Sequence, residues 1–197
     1  MAAEAPLAGL VLAGGLSTRM QRDKAAIELG GETQLARAVR LARAHARDTF
    51  VSVRDSQRGE PTRAGWPQIV DRLEGVGPAA GILAALEARP DHAWLVLAVD
   101  LPRLDAATLA RLVQQRDPGA LATAYVSSGD GLPEPLCAIW EPASRAPLAA
   151  FIEGGRSCPR KFLISHGARL VELEARDALE NVNTPAELAA LEAGVTP

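Results

Sequence analysis

The chain has 197 residues, 48% of them hydrophobic, with a formal charge of −3 and a pI near 5.7, which suits one domain over residues 1–197 with a core large enough to fold unaided. That balance provides no basic field to capture a nucleic-acid backbone, so a nucleic-acid partner is excluded. Cys137 and Cys158 fall in no Cys-x-x-Cys or His-rich spacing, no apolar run reaches membrane-spanning length, and residues 1–8 lack the basic start of a secretory signal. The expectation is a cytoplasmic protein with no disulfide framework, no structural zinc and no membrane partner.

The first element is a short apolar strand, Gly9 to Ala13, which breaks at Gly14-Gly15 into a loop of small and hydroxylated residues carrying Arg19 and Lys24. Successive glycines let the backbone turn tightly and approach a ligand, so main-chain N–H groups can face phosphate oxygens. Arg19 offers a planar fork for two oxygens and Lys24 a compact point charge. No Gly-Lys-Ser/Thr follows, and the spelling is not Gly-x-Gly-x-x-Gly, so neither the P-loop nor the dinucleotide fingerprint is present. On these features alone, a phosphate loop and a surface turn with two solvated cations are both open.

The full string LAGGLSTRMQRDK resembles the signature of nucleotidyltransferases, and it is most similar to the molybdenum cofactor guanylyltransferase branch, where the pattern runs Leu-Ala-Gly-Gly, Ser, Arg-Met-Gly, Asp-Lys. Gln21 stands where that branch has glycine. The resemblance implies that Leu12, Ala13, Gly14, Gly15 and Lys24 bind a nucleotide and that Arg19 and Lys24 act in catalysis.

Downstream, Ala25 to Leu29 is apolar and ends at Gly30-Gly31. From Thr33, Leu35, Ala38, Val39 and Ala42 recur at helical spacing, with Arg37, Arg40, Arg43 and Arg47 mostly opposite, as on a solvated helix face. Residues 50–53 and 68–70 read as strands. The polar segment from Asp55 to Pro67, punctuated by Gly59, Pro61 and Gly65, reads as a loop with Trp66 as a lid over core. Asp71 follows the second strand, and a glycine-rich turn leads into a helix over Ile82 to Ala88. A carboxylate there sits where open α/β sheets bind ligands, or else it satisfies loop N–H groups. The resemblance implies the former, because the guanylyltransferase branch has an Asp and a Gly-Pro-x-x-Gly turn at the nucleoside, matched here by Asp71, Gly77, Pro78 and Gly81. Arg54 stands where that branch tends to have asparagine, which bears on nucleoside choice.

Ala93 to Val99 is the most apolar run and reads as a central parallel strand covered on both faces. It ends at Asp100-Leu101-Pro102, where a carboxylate is well placed to bind Mg²⁺, and Asp-x-Pro resembles the family's metal-binding carboxylate. Asp105 reads as a helix cap for a segment with Leu109, Leu112 and Val113 inward. Residues 120–126 are strand-like, and prolines 133 and 135 demote the start of the strand that reaches Trp140 to an edge or loop. Pro133-Glu134-Pro135 replaces the His-Pro element common in the family, and Glu134 reads equally as an acceptor contact or a solvated residue. Residues 142–152 form a helix, and Arg156, Arg160 and Lys161 gather at the start of another, as a solvated cluster or toward a phosphate-bearing acceptor. Residues 170–173 alternate like an edge strand. Thr184, Pro185 and Glu187 spell a capping box for a last helix, while Asn181 and Asn183 resemble the family's pterin-side element and are implied acceptor-binding residues.

Strands alternating with helices predict an α/β three-layer domain with a mostly parallel sheet, and the resemblance implies its Rossmann-like nucleotidyltransferase variant. The implied reaction is transfer of GMP from GTP to molybdopterin, with Mg²⁺ on Asp100 and Arg19 and Lys24 on the phosphates. The alternatives are CTP in place of GTP, a phosphosugar or phospho-alcohol in place of the pterin, or a non-catalytic nucleotide-binding module in cofactor assembly. A phosphate nucleophile needs no general base, so His45, His92 and His166 receive no role.

Overall fold

A computed structural model describes residues 4–15, 22–182, 184, 186, 187 and 189. Apolar runs without polar alternation make strands covered on both faces, and these runs set the middle of the sheet. β1 (Leu7–Leu12) pairs in parallel with β4 (Thr49–Arg54) and with β6 (Ala93–Ala98), whose six residues are all buried. β5 (Gln68–Asp71) extends this parallel half. On the other side, β8 (Pro133–Trp140) runs antiparallel to β6 and to β7 (Ala122–Val126), and β9 (Arg169–Val171) closes the edge in parallel with β7. The order is β5-β4-β1-β6-β8-β7-β9, a mostly parallel seven-stranded sheet. A separate hairpin of β2 (Glu28–Leu29) and β3 (Glu32–Thr33) turns through Gly30 and Gly31, both at positive φ.

Helices cover both faces. α1 (Gln34–Arg43) and α4 (Ala106–Gln114) bury Leu35, Val39, Leu109 and Leu112 against Val11, Val51, Leu95 and Leu97. α3 (Pro78–Ala88), α5 (Arg145–Glu153) and α6 (Pro159–His166) bury Ile82, Leu86, Leu148 and Phe162 against Leu10, Trp94, Val96 and Trp140. Successive strand residues face opposite layers, so β6 gives Leu95 and Leu97 to one core and Trp94 and Val96 to the other. The predicted caps form: the Thr33 hydroxyl accepts the Ala36 amide at 3.1 Å and the Asp105 carboxylate accepts the Thr108 amide at 2.7 Å. The Thr184 hydroxyl accepts the Glu187 amide at 3.2 Å, as a capping box requires.

One expectation is corrected. The segment from 55 to 67 is not simply a loop, because it contains a one-turn helix, α2 (Pro61–Ala64), with proline at its first position. β8 agrees with its proline-guarded start: Pro133 and Glu134 pair with β7 alone, past a register shift between Ala124 and Tyr125, and β6 joins only from Cys137 onward. The arginine face of α1 is solvated, with Arg40, Arg43 and, just past the helix, Arg47 exposed. It also makes local contacts: Arg37 donates to the Leu104 carbonyl, Arg40 pairs with Glu32, and Arg43 lies over Trp66, which packs against the core.

Candidate active site

The carboxyl ends of β1, β4, β5 and β6 share one rim, because these strands are mutually parallel. A cleft of about 1260 Å³ opens there, and Gly14, Lys24, Arg54, Asp71 and Asp100 all line it. Leu12, Ala13, Gly15, Gly77 and Pro78 line it too, so the described nucleotide-binding residues expected from sequence converge on one space. Arg19 lies outside the described residues.

The centre of the cleft is an ion pair. Asp100 follows β6, Lys24 opens a single 3₁₀ turn over Lys24–Ala26, and the Lys24 ammonium donates to the Asp100 carboxylate with Nζ 2.6 Å from Oδ2. Both side chains keep some solvent access, at 14% and 19% exposure. A cation and a carboxylate held together at a strand end can divide a polyphosphate ligand between them, the ammonium taking oxygens directly and the carboxylate through a divalent metal.

Lys24 is positioned by its neighbour. Asp23 caps the 3₁₀ turn by accepting the Ala25 amide, Oδ1 to N 3.1 Å, and its carboxylate is gripped by Arg63 of α2. Arg63 is only 1% exposed and also donates to the Ala13 carbonyl and to Glu60. Burial pushes the Asp23 carboxyl upward, but the Arg63 hydrogen bonds, the Ala25 amide and the guanidinium charge together outweigh it and hold the group below the usual carboxylate value. Sequence reading missed Arg63, because a polar, glycine-punctuated segment gives no sign of a buried arginine. The only local signal was Glu60-Pro61, a helix-start spelling.

At the β4 and β5 end of the cleft, Asp71 ends β5 opposite Arg54 at the end of β4. Burial raises the Asp71 carboxyl above its ordinary value, against the opposing effect of the Arg54 charge and a backbone hydrogen bond from Leu73. The Arg54 Nε is buried without a hydrogen-bond partner among the described residues. Gly77 sits at φ +70°, a conformation that favours glycine, and Pro78 starts α3. Gly81 lets α3 approach the sheet, since a Cβ there would lie 2.4 Å from the Ser52 hydroxyl oxygen.

Of the two residues expected to bind the acceptor, Asn181 is exposed and adjoins Val182, whose amide donates to the Asp100 carbonyl at 3.4 Å, so this segment borders the ion pair. Asn183 lies outside the described residues. Glu134 is paired with Arg160, which also reaches Asp130, and Arg156 lies over the Phe151 ring before α6 begins. His45, His92 and His166 do not line the cleft.

Residues 9–170 match the model of the MobA-like NTP transferase domain, well over half of the chain. The chain belongs to that family. It is 38% identical over 188 residues to a molybdenum cofactor guanylyltransferase of Pseudomonas paraeruginosa, covering 93% of each protein. It is 34% identical over 183 residues to a molybdenum cofactor biosynthesis bifunctional protein of Synechocystis, where 92% of this chain matches and spans about half, 52%, of that longer protein. Among solved structures, a molybdopterin-guanine dinucleotide biosynthesis protein A from Archaeoglobus fulgidus superposes with a TM-score of 0.76 at 24% identity, covering 94% of this chain and 96% of that one. The expected nucleotidyltransferase fold is thereby borne out, and this MobA-like chain is a nucleotidyltransferase.

Proposed function

We propose that this protein transfers GMP from GTP to the phosphate of molybdenum-bound molybdopterin, giving molybdopterin guanine dinucleotide and releasing pyrophosphate. The observation that carries this is the meeting of Lys24 and Asp100, 2.6 Å apart, in the cleft that Gly14 and Asp71 also line. The chain's likeness to the molybdenum cofactor guanylyltransferase of Pseudomonas paraeruginosa supports the choice of nucleotide and acceptor.

In this reading Gly14 and Gly15 present backbone N–H groups to the triphosphate, Lys24 and Arg19 neutralise charge that develops at the α-phosphorus, and Asp71 holds the nucleoside. The acceptor phosphate is ionised near neutrality, so attack needs positioning rather than proton removal. Asn181 and Asn183 receive the pterin side. Among the described residues no three His, Cys, Asp or Glu side chains converge into a metal cage. The Asp100 carboxylate, lining the cleft with some solvent access, suits Mg²⁺, which takes one or two carboxylates and fills its shell with phosphate oxygens and water. Asp100 would hold it, and the ion when bound supplies Lewis-acid neutralisation of the phosphates.

Among the described residues no helix is long and apolar enough to cross a membrane. We place the work in the cytoplasm, alongside other proteins of molybdenum cofactor synthesis. A second reading keeps the chemistry but takes CTP, and it is favoured by Arg54 lining the nucleoside end of the cleft in place of the expected asparagine. Pyrophosphate release from GTP and from CTP, with Mg²⁺ and molybdopterin, tests both: turnover with GTP is expected, turnover with CTP alone replaces the first reading by the second, and nucleotide binding without turnover on any acceptor leaves a non-catalytic module.

A further inference from the structure

We propose that Arg63 is a positioning residue, a clasp that fixes the glycine pair after β1 and the Lys24 turn at a set separation. Its side chain is 1% exposed, and its five N–H donors meet five acceptor contacts. Nε and Nη2 donate to the Ala13 carbonyl at 3.1 and 2.7 Å. Nη1 and Nη2 donate to the two Asp23 oxygens at 2.6 and 2.8 Å, and Nη1 also reaches Glu60 at 2.7 Å.

What matters is where those acceptors lie in the chain. Ala13 immediately precedes Gly14, and Asp23 immediately precedes Lys24, so one guanidinium grips the residue before the glycine pair and the residue before the cleft lysine, two of the groups assigned to the triphosphate. Burying a charge is costly unless every donor is used. A core stabiliser at this place has no need of a charge, whereas a bidentate fork ties a carbonyl and a carboxylate in one plane. Lysine carries the same charge with only three donors and no plane, so it cannot reproduce the grip. Asp23 relays it: Oδ1 also accepts the Ala25 amide and so fixes the turn from which Lys24 reaches Asp100.

The kinetic part of this inference rests on the nucleotidyl-transfer reading, while the geometric part does not. Its test is the full chain with Arg63→Lys and, separately, Asp23→Asn, followed by GTP turnover with Mg²⁺ and molybdopterin and by amide hydrogen exchange. We expect kcat to fall by about 100-fold with KM for GTP within about threefold, the signature of ångström-scale misplacement of reacting groups. Exchange should accelerate at Gly14, Gly15, Lys24 and Ala25 and stay unchanged along β6 and α3. Combining the two substitutions should cost no more than either alone. Turnover of Arg63→Lys within twofold of the unaltered chain, or faster exchange spread evenly over β6 and α3, overturns the clasp. If Arg63→Lys does not fold, Asp23→Asn decides on the same exchange criterion. If the unaltered chain shows no turnover, the functional reading fails while the exchange comparison still decides the clasp.

Discussion

Lys24 and Asp100 stand 76 positions apart in the chain and 2.6 Å apart in space, joined because β1 and β6 are parallel neighbours whose ends open on the same rim. Neither the glycine loop nor the strand-end carboxylate implies the other in sequence. Their contact turns two separate motifs into one site.

Asp100→Ala should lower GTP turnover by about 10²–10³-fold, the scale seen when one group that stabilises developing charge is removed. Its effect on folding should stay at about 1–3 kcal/mol, the cost of taking one partner from a part-buried hydrogen bond, at about 2–4 °C in Tm per kcal/mol for a chain of this size. Steady-state kinetics beside a thermal melt make the comparison. Turnover within twofold of the parent would remove the metal assignment.

Asp71→Asn separates function from stability in the opposite direction. Burial chiefly raises this carboxyl, so the folded chain holds the proton better than the unfolded one. The associated stability is present below the unfolded value and is lost as pH rises through the folded value, so at neutrality the charged Asp71 is a cost. The asparagine variant should melt no lower than the parent at pH 7, while its KM for GTP rises about tenfold or more through loss of a charge-assisted hydrogen bond. A lower Tm with an unchanged KM would make Asp71 a structural residue.

Asp23 titrates with the reverse sign. Burial raises it, yet the Arg63 and Ala25 contacts win and its folded value lies below the ordinary 3.8. The stability it contributes is present above the unfolded value and disappears as pH falls through the folded one. Acid unfolding of the parent should therefore include a component below about pH 4 that is missing in Asp23→Asn. Parallel acid titrations followed by circular dichroism would reveal it, and superimposable acid limbs would count against the clasped carboxylate.

Gly81→Ala should destabilise by about 1–3 kcal/mol, the usual cost of overpacking. The added Cβ would lie 2.4 Å from the Ser52 oxygen and 2.9 Å from Leu12 Cδ2. Gly65→Ala is the control: nothing lies within 4 Å and φ is −76°, so its effect should stay within about 0.5 kcal/mol. Denaturant midpoints for the two variants measure this, and equal midpoints would mean that α3 can shift off the sheet.

The alternation of apolar runs with helical periodicity was enough to read the layers, since the central strands β1 and β6 are short unbroken hydrophobic segments. Asp71 and Asp100 were legible because each closes an apolar run, Ile69-Val70 and Ala93 to Val99. β8 was legible at its start, where the prolines leave pairing with β7 alone, but not in its two-sided pairing from Cys137 to Trp140, which no local pattern announces. Arg63 was invisible for a different reason: its acceptors are a backbone carbonyl 50 residues away and an aspartate 40 residues away, and no local pattern encodes a buried donor's distant partners. Glu134 stayed ambiguous in sequence, and only the fold reveals its pairing with Arg160.

Because β1, β4, β5 and β6 point the same way, everything chemical is crowded onto one rim, and the opposite rim is left to turns. The bend between α3 and β6 lies there, and its Asp91 side chain is 78% exposed. A fluorophore or a solid support tethered at Asp91 would therefore leave the nucleotide's approach open, making this bend the natural handle for immobilising the protein or following it one molecule at a time.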